Sequence, residues 1–140
     1  MKRNRVFTLI IFVLLVLTLT ACMKSEFGMA ENTPKRMTIT AENADKDAFF
    51  AVGSLEVSDG EQIVFTSNLT KGTIEVVLIR TPEEQSIDEL PDYDNAESYK
   101  YEFSSKDSAS DLVPAGTYML KATCLKKASG TLQIEVKPAE

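Results

Sequence analysis

The pattern of apolar and polar positions divides the chain into three stretches. Val6 to Leu19 is a 14-residue apolar run broken only by threonines, behind the basic cap Lys2-Arg3-Asn4-Arg5. Residues 23–36 then mix Lys, Ser, Glu, Gly, Asn and Pro with no sustained period. From Met37 onward the chain alternates. Met37, Ile39 and Ala41 fall on one side, against Thr38 and Thr40. Leu55 and Val57 repeat the pattern, as do Ile63 and Phe65, then Ile74, Val76 and Leu78. It recurs at Tyr99, Tyr101 and Phe103, at Tyr118, Leu120, Ala122 and Cys124, and at Leu132, Ile134 and Val136. A period of two is that of a strand with one buried face.

These segments predict an all-β fold: an antiparallel β-sandwich, jelly-roll or Ig-like, of about seven or eight strands. Asp59-Gly60, Lys71-Gly72, Pro114-Ala115-Gly116 and Ser129-Gly130 are read as the turns between strands, the first as a two-residue hairpin turn. In Gly72–Arg80 the second face is mixed (Glu75, Val77, Ile79), which predicts a central strand covered on both sides. One short helix is expected over 82–90, capped by Thr81 with Pro82 at its first position and closed by Pro91.

The apolar run is too short for a spanning helix, which needs about 20 residues. With its basic cap it has the layout of an export signal. It ends in Leu19-Thr20-Ala21-Cys22. This tetrad resembles the lipobox of bacterial lipoprotein precursors: an aliphatic residue, two small residues and a cysteine. The resemblance covers residues 1–22. It implies that Cys22 is acylated with diacylglycerol, that cleavage precedes it, and that Cys22 starts the mature chain. The domain reading is therefore a signal peptide over 1–21, the lipidated cysteine with a flexible tether over 22–36, and a β-sandwich domain over 37–140. The implied location is extracytoplasmic, on the bacterial cell membrane or on the outer membrane where the host has one. The stretch from Leu112 to Val136 is also similar, generically, to the closing hairpin of secreted bacterial β-sandwich modules. In those, a Gly-Thr-Tyr unit opens a strand that pairs with the last one.

Charge narrows the partners. The formal net charge is −6, and removing Lys2, Arg3 and Arg5 leaves 12 basic and 21 acidic residues, a net of −9. That argues against nucleic acid, whose binding needs clustered Lys and Arg, and against peripheral adhesion to anionic lipid through a basic face; the lipid anchor is the expected link to membrane. A monomer is expected.

Catalytic chemistry is poorly supplied. The chain has no histidine, hence no Ser-His dyad and no common zinc site. Cys124 alternates with core positions and is expected to behave as a small buried hydrophobe. Paired carboxylates of a small hydrolase are the remaining catalytic option, and the chain is read as not an enzyme. The acidic segment 83–97 offers Asp92, Asp94, Asn95 and Glu97 as candidate calcium ligands, since calcium takes six to eight oxygens. The segment lacks the glycine and the late glutamate of an EF-hand, so a solvated loop without cofactor is the competing reading. Phe49 and Phe50 are adjacent, so one of them faces outward in a strand. A glycan-binding module would want more such rings. The function expected is a binding or interaction module of undefined ligand. The alternative is a structural cell-envelope protein without small ligand.

Overall fold

The computed structural model describes residues 25–82 and 95–140. Cys22 with its signal segment, the helix expected over 82–90 beyond Pro82, and Asp92 and Asp94 lie outside the described residues. Seven strands run in chain order: β1 (Glu26–Thr33), β2 (Arg36–Ala44), β3 (Phe49–Val57), β4 (Glu61–Arg80), β5 (Ser98–Phe103), β6 (Lys106–Asp111) and β7 (Gly116–Pro138). All pairings are antiparallel, and no helix occurs among the described residues.

The fold is one sheet doubled over on itself. Its spine is a ribbon of β4 and β7, 20 and 23 residues long, paired from Glu61↔Pro138 to Arg80↔Tyr118. Along the β7 side lie β2 and then β3, opposite residues 128–135 and 116–123 respectively. Along the β4 side lie β6, opposite 63–68, and β5, opposite 74–79. The breaks between β2 and β3 and between β5 and β6 fall level with the register shifts of the ribbon between Leu69 and Ile74. At that level every strand line bends, and the two halves of the sheet become facing layers. One layer reads β1-β2-β7-β4-β6 and the other β3-β7-β4-β5. Long strands shared by both layers correspond to the jelly-roll alternative rather than the Ig-like one.

The alternating positions fill the space between the layers. Met37, Ile39, Ile63, Phe65, Leu132 and Ile134 of the first layer are fully buried. They meet Leu55, Ile74, Val76, Leu78, Tyr118, Leu120, Ala122 and Cys124 of the second, also fully buried. The Phe65 ring crosses the gap to Tyr101 and Phe103, with centroids 4.4 and 5.3 Å away. In β4 the buried positions are odd-numbered up to Leu69 and even-numbered from Ile74. The irregular pairing at the bend accounts for that change of parity, so the same face stays inward through the fold.

Four expectations need correction. Lys71-Gly72 and Ser129-Gly130 are not turns between strands but the bend inside β4 and β7. Their glycines permit backbones to touch there. A Cβ on Gly72 (φ +81°) would lie 2.3 Å from the Lys127 carbonyl oxygen, and one on Gly130 (φ +127°) 2.5 Å from that of Asn68. The Gly-Thr-Tyr unit does open a strand, but Leu132–Val136 belongs to that same strand β7, so the two do not form a hairpin. Asp59-Gly60 makes a tight turn, with Glu61 N donating to Ser58 O at 3.1 Å, yet β3 and β4 on either side do not pair. The turn carries the chain from one layer to the other. Finally, the flexible tether expected over 22–36 does not include residues 26–36. Residues 26–33 form β1, joined to β2 by a two-residue turn at Pro34-Lys35, and Phe27 packs on Phe50 across the layers at 4.8 Å. That ring contact and the ladder to β2 order a segment whose own composition would not.

Strand β4 is central, as expected, between β7 and β5, but its second face (Glu75, Val77, Ile79) is only half-buried.

Candidate functional site

Among the described residues, the end of the sandwich away from the bend is open. There β4 ends, β5 begins and β7 begins, so Arg80, Glu97 and Gly116 converge. The backbone sets the cluster first: Arg80 N donates to Glu97 O at 2.9 Å and Thr81 N to Thr117 O at 2.8 Å. The Arg80 guanidinium then donates to the Ala115 carbonyl at 2.6 Å and to Glu97 Oε2 at 3.3 Å. Gly116 leaves room for it, since a Cβ would sit 2.9 Å from Arg80 Nε. The second oxygen of Glu97 accepts a hydrogen bond from the Tyr99 hydroxyl. Tyr99 meets the Tyr118 ring edge-on at 6.2 Å, and Tyr118 OH donates to Pro114 O at 2.5 Å.

Electrostatics follow from these contacts. The Tyr99 hydroxyl, and then Arg80, hold the Glu97 carboxyl below the usual carboxylate range. The same bond pushes Tyr99 up to about 12, because its proton is held against a carboxylate. Arg80, Thr81, Pro82, Ala96 and Glu97 line an open depression of about 340 Å³. It can present a cation and a carboxylate to a polar group.

Glu97 bears on the calcium expectation. Both of its oxygens are engaged, one by Tyr99 and one by Arg80, and Asn95 is exposed and held by an interaction of its own. Among the described residues no three of His, Cys, Asp and Glu come together as a metal site. Sequence reasoning missed Arg80 altogether. Its only signal was a basic residue closing an apolar strand just before an acidic segment.

The other candidates fall elsewhere. Cys124 is buried as a free thiol, pushed up by burial and then by Asp45. Phe49 is 68% exposed, with Lys121 Nζ 5.8 Å from its ring centroid, whereas Phe50 turns inward to Phe27. The two phenylalanines therefore build no shared platform. Tyr101 points its hydroxyl at Asp111 (2.7 Å) and is raised, first by burial and then by that carboxylate. At the sheet margin, β1 pairs only with β2 among the described residues, so its outer backbone edge is open along Glu26–Thr33. A bulge interrupts it between Met29 and Glu31.

No protein-family model matches the chain, and no curated protein matches it. Among solved structures the chain is similar to KdgF from Halomonas sp., at 19% identity over 81% of this chain and 80% of that one, with a TM-score of 0.32. It is similar to PirA at 9% identity over 79% of this chain and 100% of that one, with a TM-score of 0.46. A cupin domain from Bordetella pertussis aligns at 13% identity over 81% of this chain and 93% of that one, with a TM-score of 0.35.

Proposed function

We propose that this chain is a lipid-anchored extracytoplasmic bacterial lipoprotein whose β-sandwich recruits a protein partner by strand addition along β1. The address rests on the match of basic cap, apolar length and Leu19-Thr20-Ala21-Cys22. The observation that carries the binding mode is the open edge of β1. Eight residues of extended backbone stand at the margin of the sheet with one ladder partner. Such an edge offers main-chain donors and acceptors to an extended peptide, and half-buried Phe27 and Met29 give it apolar footing. Strand β3, paired only with β7 among the described residues, is a second open margin, while the margins on the β4 side fit this role less well. Strand β6 is short and mostly exposed polar side chains, and Lys100 and Glu102 stand outward on β5.

A binding role rather than catalysis is supported by the way the interior is used. Apolar side chains of both layers occupy the volume between the sheets, where a jelly roll would otherwise house a ligand. The depression at Arg80 and Glu97 lies outside that core.

The test is in-cell photo-crosslinking with a reactive residue at exposed Ala30, in the β1 bulge, against one at Lys100 on β5, followed by mass spectrometry. One recurrent protein captured from Ala30 and not from Lys100 is expected. Equal capture, or none from Ala30, would refute strand addition at β1. The anchor is tested separately: Cys22→Ala should abolish palmitate labelling and membrane retention.

A further inference from the structure

We infer that the bend edge of the sandwich lies directly on the bilayer, so that the open end with Arg80 and Glu97 is held outward. This rests on the lipid anchor proposed at Cys22. Strand β1 starts at Glu26, so only residues 23–25 separate it from Cys22. Four Cα–Cα steps of 3.8 Å span at most about 15 Å. Glu26 lies opposite Glu42, near the end of β2, and Ser25 Oγ donates to Asp45 Oδ2 at 3.3 Å. The chain therefore enters the domain at the bend. From there β2 and β3 run nine residues to the open end, about 25–30 Å. An anchor with that reach keeps the bend edge within about 15 Å of the headgroups, whereas the open end meets them only if the domain lies on its side.

Charge favours the same orientation. The bend edge presents Lys46, Lys71, Lys106, Lys126 and Lys127, all exposed, against Asp45, Asp47, Asp107, Glu26 and Glu42. It is neutral overall, and the net −9 of the mature chain is carried entirely by the rest. Lys71 donates to Asn43 Oδ1 at 2.7 Å. The ion pairs among the described residues (Lys35–Glu61, Arg36–Glu135, Arg80–Glu97, Lys100–Glu75, Lys137–Glu135) use none of these five lysines. Seven of those nine net negative charges lie in residues 83–97, and an anionic surface repels that segment more than it repels this edge. The surface named is the bilayer that holds the acyl chains.

The test uses the full chain, processed in a bacterial host and reconstituted in phosphatidylglycerol-containing vesicles. Lys127→Cys at the bend and Asp59→Cys at the open end are labelled one at a time with a fluorophore. Energy transfer to a headgroup-labelled lipid acceptor is then read. Cys124 is buried and does not compete for label. Transfer several-fold stronger from position 127 than from position 59 is expected. Equal transfer, or the reverse order, in a chain that mass spectrometry shows to carry lipid on Cys22 would overturn the orientation and leave the anchor standing. A chain without lipid on Cys22 that washes off membranes would overturn the anchor, and this inference with it.

Discussion

Two carboxylates show how single residues are tuned by their neighbours. Glu97 is solvent-exposed, yet it binds the Tyr99 hydroxyl and Arg80 together. Removing it in Glu97→Ala takes away the group that resists loss of the Tyr99 proton. The Tyr99 ionisation should fall from about 12 toward its ordinary value of 10.0, which a tyrosinate absorbance titration against the parent chain would read. Glu135 differs in being only 8% exposed, although its place in β7 alternates with core residues and predicts an outward side chain. Lys137, Arg36 and Gln133 cover it. Lys137 first, then Arg36, depress its pKa below the ordinary carboxyl value of 4.5. A depressed carboxyl stabilises the fold above its unfolded value and loses that contribution as pH falls through the folded value. Glu135→Gln should therefore cost about 1 kcal/mol at neutral pH, since its partners are half exposed. It should also flatten the loss of stability below about pH 4.5, measured by urea unfolding across pH.

Among the elements, β4 and β7 decide the architecture, because each must bend without ending. Gly72→Ala and Gly130→Ala both force a Cβ into the opposite strand's backbone and both sit at positive φ. Each should destabilise by roughly 2–4 kcal/mol, read as a lowered urea midpoint, because backbone cannot yield as a flexible side chain can. Gly60→Ala, also at positive φ but with open space around it, should cost less, about 1 kcal/mol. The same elements mark what was legible in the sequence. Period-two alternation placed Met37 through Val136 on the buried face with few errors, because the core is formed one strand face at a time. The meaning of the glycine dipeptides was not legible. Lys71-Gly72 and Ser129-Gly130 look like Asp59-Gly60 locally, and only the partner strand decides whether a glycine turns the chain or bends it. Strand β1 was missed for a related reason: Glu26–Thr33 lacks clean alternation, and its order comes from the ladder to β2 and from Phe50. The Arg80–Glu97–Tyr99 cluster depends on the β4–β5 register, which sets Arg80 beside Glu97 and which neither strand displays by itself.

For the whole molecule, sharing the ribbon between layers means that neither layer is a separate folding unit. Heat or urea should unfold the domain in one transition, with ribbon amides near Phe65 and Ile134 in β4 and β7 exchanging only by global opening. Exchange that distinguishes the two layers would contradict this. The direction of β1 has a mechanical consequence. It runs from the bend toward the open end, paired antiparallel to β2 from Glu26↔Glu42 to Thr33↔Arg36. A pull on the chain ahead of Glu26, against a load on the open end of the domain, would act along the strand axes. The β1–β2 bonds would then share the load side by side, as in a lap joint, instead of parting one after another like a zip.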